Sequence, residues 1–186
     1  MHLITWVIPN EIAISRIPVK REDIKAIKSM GIKAIVCLAT EREVYPFWGG
    51  ILTYEANVIS EGMEFYFLPI EPKGAPDIRE LIDLLTWISS RATRGKPVAI
   101  HCFAGVGRAG TVAAAYLIFK GMTPKAAIDQ VRRVRPGAIE SSEQEEVLFQ
   151  LGSVINLVLK KEIPLKLILE PIETKKPRLK IFRLRR

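Results

Sequence analysis

The chain has 186 residues, 48% of which are apolar, and a formal net charge of +8. Its length and apolar content are typical of a single globular domain and exclude two full domains. The longest apolar run, at residues 112–119, is far shorter than the roughly 20 residues that a membrane-spanning helix needs. The first residues lack the basic lead and small-residue cleavage site of a secretory signal, so we expect a cytoplasmic protein.

The positive charge is concentrated at the C-terminal end of the chain. Residues 160–186 contain ten Lys and Arg against three Glu, whereas residues 1–159 contain 18 basic against 17 acidic residues. Weak contact with nucleic acid or an anionic surface is therefore predicted only for this end. We divide the chain into a domain at residues 1–161 and a basic extension at 162–186. Alternating apolar and basic residues favour an arm or β-hairpin in the extension.

Two weaker indications come from the cysteine and amide content. Cys37 and Cys102 are too few for a disulfide framework, which fits a reducing compartment. The sequence has only three Asn and three Gln beside many Ile, Glu, Lys and Arg, a balance typical of heat-adapted proteins. We therefore expect a thermophilic source.

The first half of the chain alternates strand and helix patterns. Gly31 ends the first helix, because glycine adopts a left-handed C-cap at the lowest cost. Cys37 lies in a continuous apolar run typical of a strand covered on both faces, which predicts a core position for it. The predicted elements are two strands, a helix, a buried strand, a loop with exposed aromatics and a short helix, at residues 2–8, 11–15, 21–31, 32–39, 40–50 and 51–62.

The second half continues the alternation and ends in three successive helices. The predicted elements are a strand, a long helix, a strand and three helices, at residues 63–70, 76–95, 96–100, 108–120, 124–135 and 142–160. This order predicts an α/β fold with a central, mostly parallel, twisted sheet flanked by helices. Ligands of such sheets bind beyond the carboxyl ends of the strands, where His101 and Cys102 follow the strand at 96–100.

The stretch VAIHCFAGVGRAGT, residues 98–111, joins that strand to a helix through a tight loop. Its backbone N–H groups are predicted to turn inward around an oxyanion, aided by the positive end of the helix dipole. The glycines permit the positive φ angles that this curl needs, and Arg108 offers a planar fork for two phosphate oxygens. The positive electrostatic potential of the loop amides, the helix start and Arg108 also favours the thiolate form of Cys102, and a thiolate is a nucleophile. The predicted phosphate-binding residues are Phe103, Ala104, Gly105, Val106, Gly107 and Arg108.

The sequence His101-Cys102, five residues and Arg108 resembles the signature of cysteine-dependent protein tyrosine phosphatases. The chain is similar in size to their compact, atypical dual-specificity branch, and the resemblance covers roughly residues 10–155. It implies that Cys102 attacks phosphorus to form a phosphocysteine, while Arg108 and the loop amides hold the phosphoryl oxygens. His101 would support the loop without acting as a base. The resemblance implies no metal and no cofactor.

The general acid is not determined by the sequence. The family carries an Asp upstream of the cysteine, and in this region the chain reads FLPIEPKGAPDIRE. Glu71 is the first candidate, because the usual Pro-Asp order is exchanged for Glu-Pro at this position. Asp77 is the second candidate, although it also fits the N-cap of the following helix, with Glu80 three residues later.

Several neighbouring residues carry further expectations. By the same resemblance Gln144 orients the hydrolytic water, although Ser141 and Gln144 also form a capping-box pattern. Ala109 replaces the family's Ser or Thr, which predicts slow breakdown of the phosphoenzyme. Arg135 is expected to form structural pairs rather than to touch substrate. Tyr45, Phe47 and Trp48 either line the site or, more in keeping with their pattern, anchor their segment to the core.

The resemblance implies a phosphorylated protein as substrate, with phosphotyrosine first and phosphoserine or phosphothreonine second. The absence of Lys between Cys102 and Arg108 argues against highly phosphorylated inositides. Two alternatives stay open. The basic extension suggests an RNA 5′-phosphatase with the same chemistry, and the displaced acid with Ala109 suggests a phosphate-binding adaptor that has lost turnover.

Overall fold

A computed structural model describes residues 4–159, so the predicted C-terminal arm at 162–186 lies outside the described residues. Five strands and seven helices alternate along the described chain much as the sequence predicts. The strands are β1 Ile4–Ile8, β2 Ile12–Ser15, β3 Ala34–Cys37, β4 Glu64–Phe67 and β5 Val98–His101. The helices are α1 Arg21–Ser29, α2 Glu41–Trp48, α3 Ile51–Ser60, α4 Ile78–Ala92, α5 Gly107–Phe119, α6 Pro124–Val134 and α7 Ser142–Leu159.

The strands form one sheet in the order β1-β2-β5-β3-β4. β1 pairs antiparallel with β2 as a hairpin, and the other three pairings are parallel. This confirms the predicted α/β fold with a mostly parallel sheet. Ser15, His101 and Cys37 are direct register neighbours, so β2, β5 and β3 end side by side at one edge of the sheet.

Helices cover both faces of the sheet and bury a separate apolar cluster on each. Alternate residues of one central strand enter opposite clusters, as Ala99 and Ile100 do. One face packs against α1, α2 and α3, and the other against α4, α5, α6 and α7. The central strands β2, β5 and β3 are buried at every residue, which explains why they read as continuous apolar runs, whereas the outer strands β1 and β4 are only partly buried.

The segment at residues 40–50 is a helix for most of its length, so the predicted loop is wrong there. Proline inside a helix removes a hydrogen bond and crowds the preceding turn, and Pro46 lies inside this helix. The helix α2 forms nevertheless, because the Thr40 and Glu43 capping box stabilises its start. Gly49, in the left-handed region with φ +69, ends it.

Among residues 4–159, the structure contains no helix long and apolar enough to cross a membrane. This agrees with the short apolar runs of the sequence.

Candidate active site

Cys102 and Arg108 face each other across one tight loop at the carboxyl edge of the sheet. β5 ends at His101 and α5 begins at Gly107, so the strand and the helix fix both ends of the loop. The side chains are almost fully buried, with Cys102 2% exposed and Arg108 5% exposed. The Arg108 guanidinium interacts with the Cys102 sulfur, and that interaction helps to raise the pKa of Arg108 against the opposing effect of burial.

The carbonyl groups of the 102–108 loop are bound by partners outside the loop. These pairs are Cys102 O with His101 Nδ1, Phe103 O with Ile17 N, Ala104 O and Gly105 O with Arg135, and Val106 O with Gly110 N. Because a planar trans peptide sets each carbonyl opposite the next amide, the N–H groups of these peptides turn inward. Within the described chain, the amides of residues 103–106 donate to no protein acceptor. The loop is therefore a ring of available donors, suited to an oxyanion.

Gly105 and Gly107 make this curl possible for two different reasons. Gly105 has φ +69, and a Cβ at this position would overlap the backbone carbonyl of Ser15 at the end of β2. Gly107 has no positive φ, but a Cβ there would collide with the Glu140 carboxylate and lie 3.1 Å from Gln144 Nε2. The loop therefore packs tightly against β2 on one side and against the segment before α7 on the other.

Arg135 holds the loop from outside. Its Nε donates to Gly105 O at 2.8 Å, and its Nη2 donates to Ala104 O at 3.3 Å. Its Nη1 reaches Thr5 Oγ1 in β1 at 3.2 Å, and the residue is 3% exposed. Arg135 thus forms structural hydrogen bonds, as expected from the sequence, and those bonds orient the loop peptides.

Arg108 is held in place by a carboxylate that sequence reasoning missed. Its Nη1 and Nη2 each donate to Glu43 at 2.7 Å, and Nη1 also donates to Ile70 O at 2.7 Å. A guanidinium has five N–H donors, and these contacts use three of them. The Nε–H and one Nη2–H remain, and they lie on one edge of the guanidinium. The guanidinium also interacts with the Cys102 sulfur, and this edge can hold two phosphate oxygens while the contacts with Glu43 persist.

Glu43 also caps α2, which links the guanidinium to the fold. Its carboxylate accepts from Thr40 N at 2.8 Å, while the side chain points to Arg108. Burial would raise the pKa of Glu43, but the hydrogen bonds from Arg108 and Thr40 outweigh burial and lower it. The carboxylate is therefore ionised at neutral pH. The signal in the sequence was the Thr40-x-x-Glu43 pattern directly after a buried strand.

His101 supports the loop in its neutral form. Its Nδ1 lies 3.1 Å from Cys102 O, a group that can only accept, so Nδ1 carries the proton. Its Nε2 then accepts from the Tyr54 hydroxyl at 2.9 Å. Burial lowers the pKa of His101 to about 4. A ring fixed in this tautomer braces the peptide that carries Cys102.

The two candidate acids occupy different environments. Glu71 directly follows Ile70, whose carbonyl binds Arg108, and its side chain is 69% exposed beside Arg42 at 3.3 Å. Asp77 is the N-cap of α4 and accepts from Arg79 N at 2.8 Å. The predicted cap is thus confirmed for Asp77. The role of either carboxyl as acid stays a prediction.

Gln144 lies against the loop and bridges two neighbouring segments. It is fully buried, accepts from Glu140 N at 2.8 Å and donates from Nε2 to Gly74 O at 3.1 Å. The capping contact is present as well, since Gln144 N donates to Ser141 Oγ at 3.2 Å. One N–H of the side-chain amide remains, so the predicted contact with a water is compatible with these bonds.

The exposed rim of the site is aromatic. Phe103 is 47% exposed and its ring centroid lies 6.4 Å from that of Phe47 on α2. Tyr45 is exposed on the same helix. Trp48, in contrast, stacks on Tyr54 and donates to Pro18 O at 2.8 Å, so it anchors α2 to the core.

Cys37 is buried, as predicted, and burial raises its pKa to about 12.

A buried cysteine sulfur, inward-turned amides and a fixed guanidinium are together the features of the class of cysteine-dependent phosphatases. Comparison with known proteins agrees with this reading. The family model described as Swiss Army Knife protein, DSP-PTPase phosphatase domain (PTP-SAK) matches residues 1–148. The chain belongs to this family, which confirms the resemblance found in the sequence.

Individual relatives support the same class. The bovine protein tyrosine phosphatase domain-containing protein 1 is 31% identical over 152 residues, which cover 75% of this chain and 19% of that protein. The phosphatidylglycerophosphate phosphatase PTPMT2 of Arabidopsis thaliana is 31% identical over 130 residues, which cover 69% of this chain and 54% of that protein. The crystal structure of Tk-PTP in its active form superposes with a TM-score of 0.73 and 33% identity, covering 81% of this chain and 97% of that one. The matched segment therefore spans between a fifth and about half of these two curated relatives.

Proposed function

We propose that the protein removes phosphate from phosphotyrosine in proteins, and more slowly from phosphoserine and phosphothreonine, through a phosphocysteine on Cys102. The observation that carries this proposal is the 102–108 loop, whose carbonyls are bound outside it and whose amides at residues 103–106 donate to no acceptor among residues 4–159. Donors fixed in this way stabilise charge on the transferring phosphoryl group without reorganisation.

Each step follows from a group with a described position. The Cys102 sulfur attacks phosphorus, and the Nε–Nη2 edge of Arg108 and the loop amides hold the oxygens. Glu71 separates from Arg42, takes up a proton from solvent and gives it to the leaving oxygen. Water then cleaves the phosphocysteine and releases inorganic phosphate. His101 stays neutral throughout, since burial lowers its pKa to about 4.

The aromatic rim supports phosphotyrosine as the first substrate. Phe47 and Phe103 stand beside each other at the entrance, where a phosphoaryl ring would meet them. An aryl ring also reaches further from its backbone than the side chain of phosphoserine. The buried position of Cys102 therefore favours the longer residue.

A lipid phosphomonoester is the second candidate substrate. The similarity to a phosphatidylglycerophosphate phosphatase favours it. The exposed apolar rim formed by Tyr45, Phe47 and Phe103 suits a lipid surface as well as a phosphoaryl ring. Highly phosphorylated inositides fit less well, because the 102–108 loop contains no Lys.

The decisive experiment measures steady-state hydrolysis of p-nitrophenyl phosphate, phosphotyrosine, phosphoserine and phosphothreonine peptides, phosphatidylglycerophosphate and 5′-phosphorylated RNA. We expect the highest kcat/KM on the phosphotyrosine peptide. Cys102→Ser should abolish hydrolysis, whereas Cys37→Ser, at a buried cysteine outside the loop, should retain it. Phosphate-dependent binding without hydrolysis by the wild type would instead identify an adaptor. A preference for 5′-phosphorylated RNA that is lost when residues 162–186 are removed would identify an RNA 5′-phosphatase.

The second step is expected to be slow. Ala109 offers no hydroxyl to the departing sulfur, and Thr111 donates its hydroxyl to Gly107 O instead. A burst of the first product before a slower steady rate is therefore expected in rapid-mixing experiments. Single-phase turnover by the wild type would contradict a slow second step.

A further inference from the structure

A groove lies between residues 75–78, at the start of α4, and the first turns of α7. Its volume is about 320 Å³, which is within the range of small ligand sites. Two hydrogen bonds join its walls, because Ser141 Oγ donates to Lys73 O at 2.7 Å and Ala75 N donates to Glu143 Oε1 at 3.3 Å. This α4–α7 groove is therefore fixed by contacts of the folded domain.

The α4–α7 groove combines an apolar surface with acidic charge. Pro76 and Val147 line it and are buried, and Ile78 beside them is half-buried. Its acidic lining residues, all of them exposed, are Asp77, Glu143 and Glu146. An occupant that fits the groove therefore carries apolar side chains together with positive charge.

The three carboxylates of the groove are not neutralised within the described domain. None of them takes part in an ion pair among residues 4–159. Their hydrogen bonds come from neutral groups, namely the backbone N–H of Ala75 and of Arg79 and the side-chain amide of Gln150. Carboxylates grouped in this way attract cations over about 10 Å at 0.1 M salt. A basic segment is therefore their complementary partner.

The C-terminal end of the chain has the required composition. Residues 174–186 contain seven Lys and Arg and no acidic residue. Leu, Ile and Phe stand among these basic residues, at positions 179, 181, 182 and 184. This segment therefore matches the groove both in charge and in apolar character.

The segment is also tethered within reach of the groove. Glu143 lies in the first turn of α7, and at 1.5 Å per residue Leu159 is about 24 Å further along the helix axis. Residues 160–173 can span up to about 45 Å when extended, so residues 174–186 can return to the groove. Such a tether gives an effective concentration on the order of millimolar, which favours this segment over a separate molecule.

We propose that residues 174–186 dock in the α4–α7 groove of the same chain. Their Lys and Arg side chains face the three carboxylates, and their apolar side chains pack on the buried lining of the groove. The positive charge of the extension is then used within the protein. The net charge of +8 therefore gives no reason by itself to expect nucleic acid or an anionic surface as a partner.

Zero-length cross-linking tests this contact directly. The full-length protein is treated at low salt with a carbodiimide, which joins a Lys Nζ to a carboxylate that it touches. Mass spectrometry should find lysines of residues 174–186 joined to Glu143 or Glu146, with a yield that does not depend on protein concentration. The yield should fall at least threefold in about 0.5 M salt, because the charges are then screened.

Tryptic cleavage of the full-length protein after Arg178 and Lys180 gives a second measurement. Glu146→Lys places a positive charge in the groove, so this cleavage should be at least threefold faster than in the wild type, because it follows the undocked fraction. Glu22→Lys is the matched control, since Glu22 is exposed on α1, at the other face of the sheet. It should leave the cleavage rate unchanged.

A charge exchange completes the test. Lys175→Glu and Lys176→Glu, added together to Glu146→Lys, should restore slow cleavage because opposite charges face each other again. Equal cleavage of the wild type and Glu146→Lys would overturn the proposal. Cross-links whose yield rises with protein concentration would instead place the extension on a second copy of the chain. An extension without cross-links to the groove, but with salt-dependent binding of RNA, would be assigned to nucleic acid.

Discussion

The two halves of the site are built differently. The 102–108 loop is buried, and its carbonyls are bound by Arg135, Ile17 and His101. The segment that carries Glu71 lies at the surface, where the closest described partner of its carboxylate is the exposed Arg42. In the proposed mechanism, phosphate binding thus depends on a rigid frame, whereas proton donation depends on a group that can change its partner. Substitutions in the first half should therefore have larger effects.

The largest effect is expected for Gly105→Ala. The methyl group would overlap the Ser15 carbonyl, so the loop must move and several inward amides lose their positions. Removing one such donor typically lowers kcat by about 10²–10³-fold, and we expect at least that loss on p-nitrophenyl phosphate. Gly95→Ala is the matched control, because Gly95 has φ +66 with open space around it. Equal activity of the two variants would show that the contact with Ser15 is not essential.

A smaller but clear effect is expected in the exposed half. Glu71→Gln should lower the rate on an alkyl phosphate, whose leaving group needs a proton, by about 10²-fold or more. On p-nitrophenyl phosphate the loss should be much smaller, because that leaving group departs as an anion. Asp77→Asn keeps an oxygen acceptor for Arg79 N, so it should leave both the stability of α4 and this leaving-group dependence nearly unchanged. The reverse pattern would identify Asp77 as the acid.

The contacts between Arg108 and Glu43 can be tested with a more conservative substitution. Glu43→Gln keeps an acceptor for Thr40 N and removes the charge opposite Arg108. We expect kcat/KM to fall by roughly tenfold, equivalent to about 1.4 kcal/mol of transition-state stabilisation. Glu41→Gln is the control, since Glu41 lies on the same helix and accepts from Ile51 N instead. A loss of the same size in both variants would indicate that only the stability of α2 matters.

The prediction for His101 concerns stability and its dependence on pH, and not the rate of catalysis. Its pKa is lowered from 6.5 to about 4 by burial, so the unfolded chain binds more protons at this residue between those values. His101 therefore contributes stability that is complete above pH 6.5 and is lost as the pH falls towards 4, up to about 3 kcal/mol. The free energy of unfolding, measured with urea from pH 4 to 7.5, should depend less steeply on pH in His101→Gln than in the wild type. Tyr54→Phe should lower the free energy of unfolding and retain its dependence on pH. A free energy of unfolding that does not change with pH in the wild type would contradict the lowered pKa of His101.

The sequence was sufficient for those parts of the molecule that depend on local pattern. Buried strands, amphipathic helices and the loop between Cys102 and Arg108 each follow from spacing within a few residues. The helix α2 was missed because its exposed aromatic residues favour a loop when the pattern is judged locally, whereas the capping box of Thr40 and Glu43 stabilises a helix. Glu43 was missed as a site residue because its partner lies 65 residues away in the chain. The position of Glu140 likewise depends on a turn whose partners are fixed only in the folded protein.

The contacts of Arg135 also have a consequence for the order of folding. Arg135 joins Thr5, 130 residues away, to the carbonyls of the loop, and Ile17 holds Phe103 from a distant part of the chain. Contacts between residues so far apart in sequence form late, because the chain must first close long segments. During refolding, the strands and helices will therefore form before the active site is complete. The return of catalytic activity during refolding therefore marks the point at which these long-range contacts have formed. The return of the spectroscopic signal from helices does not mark it.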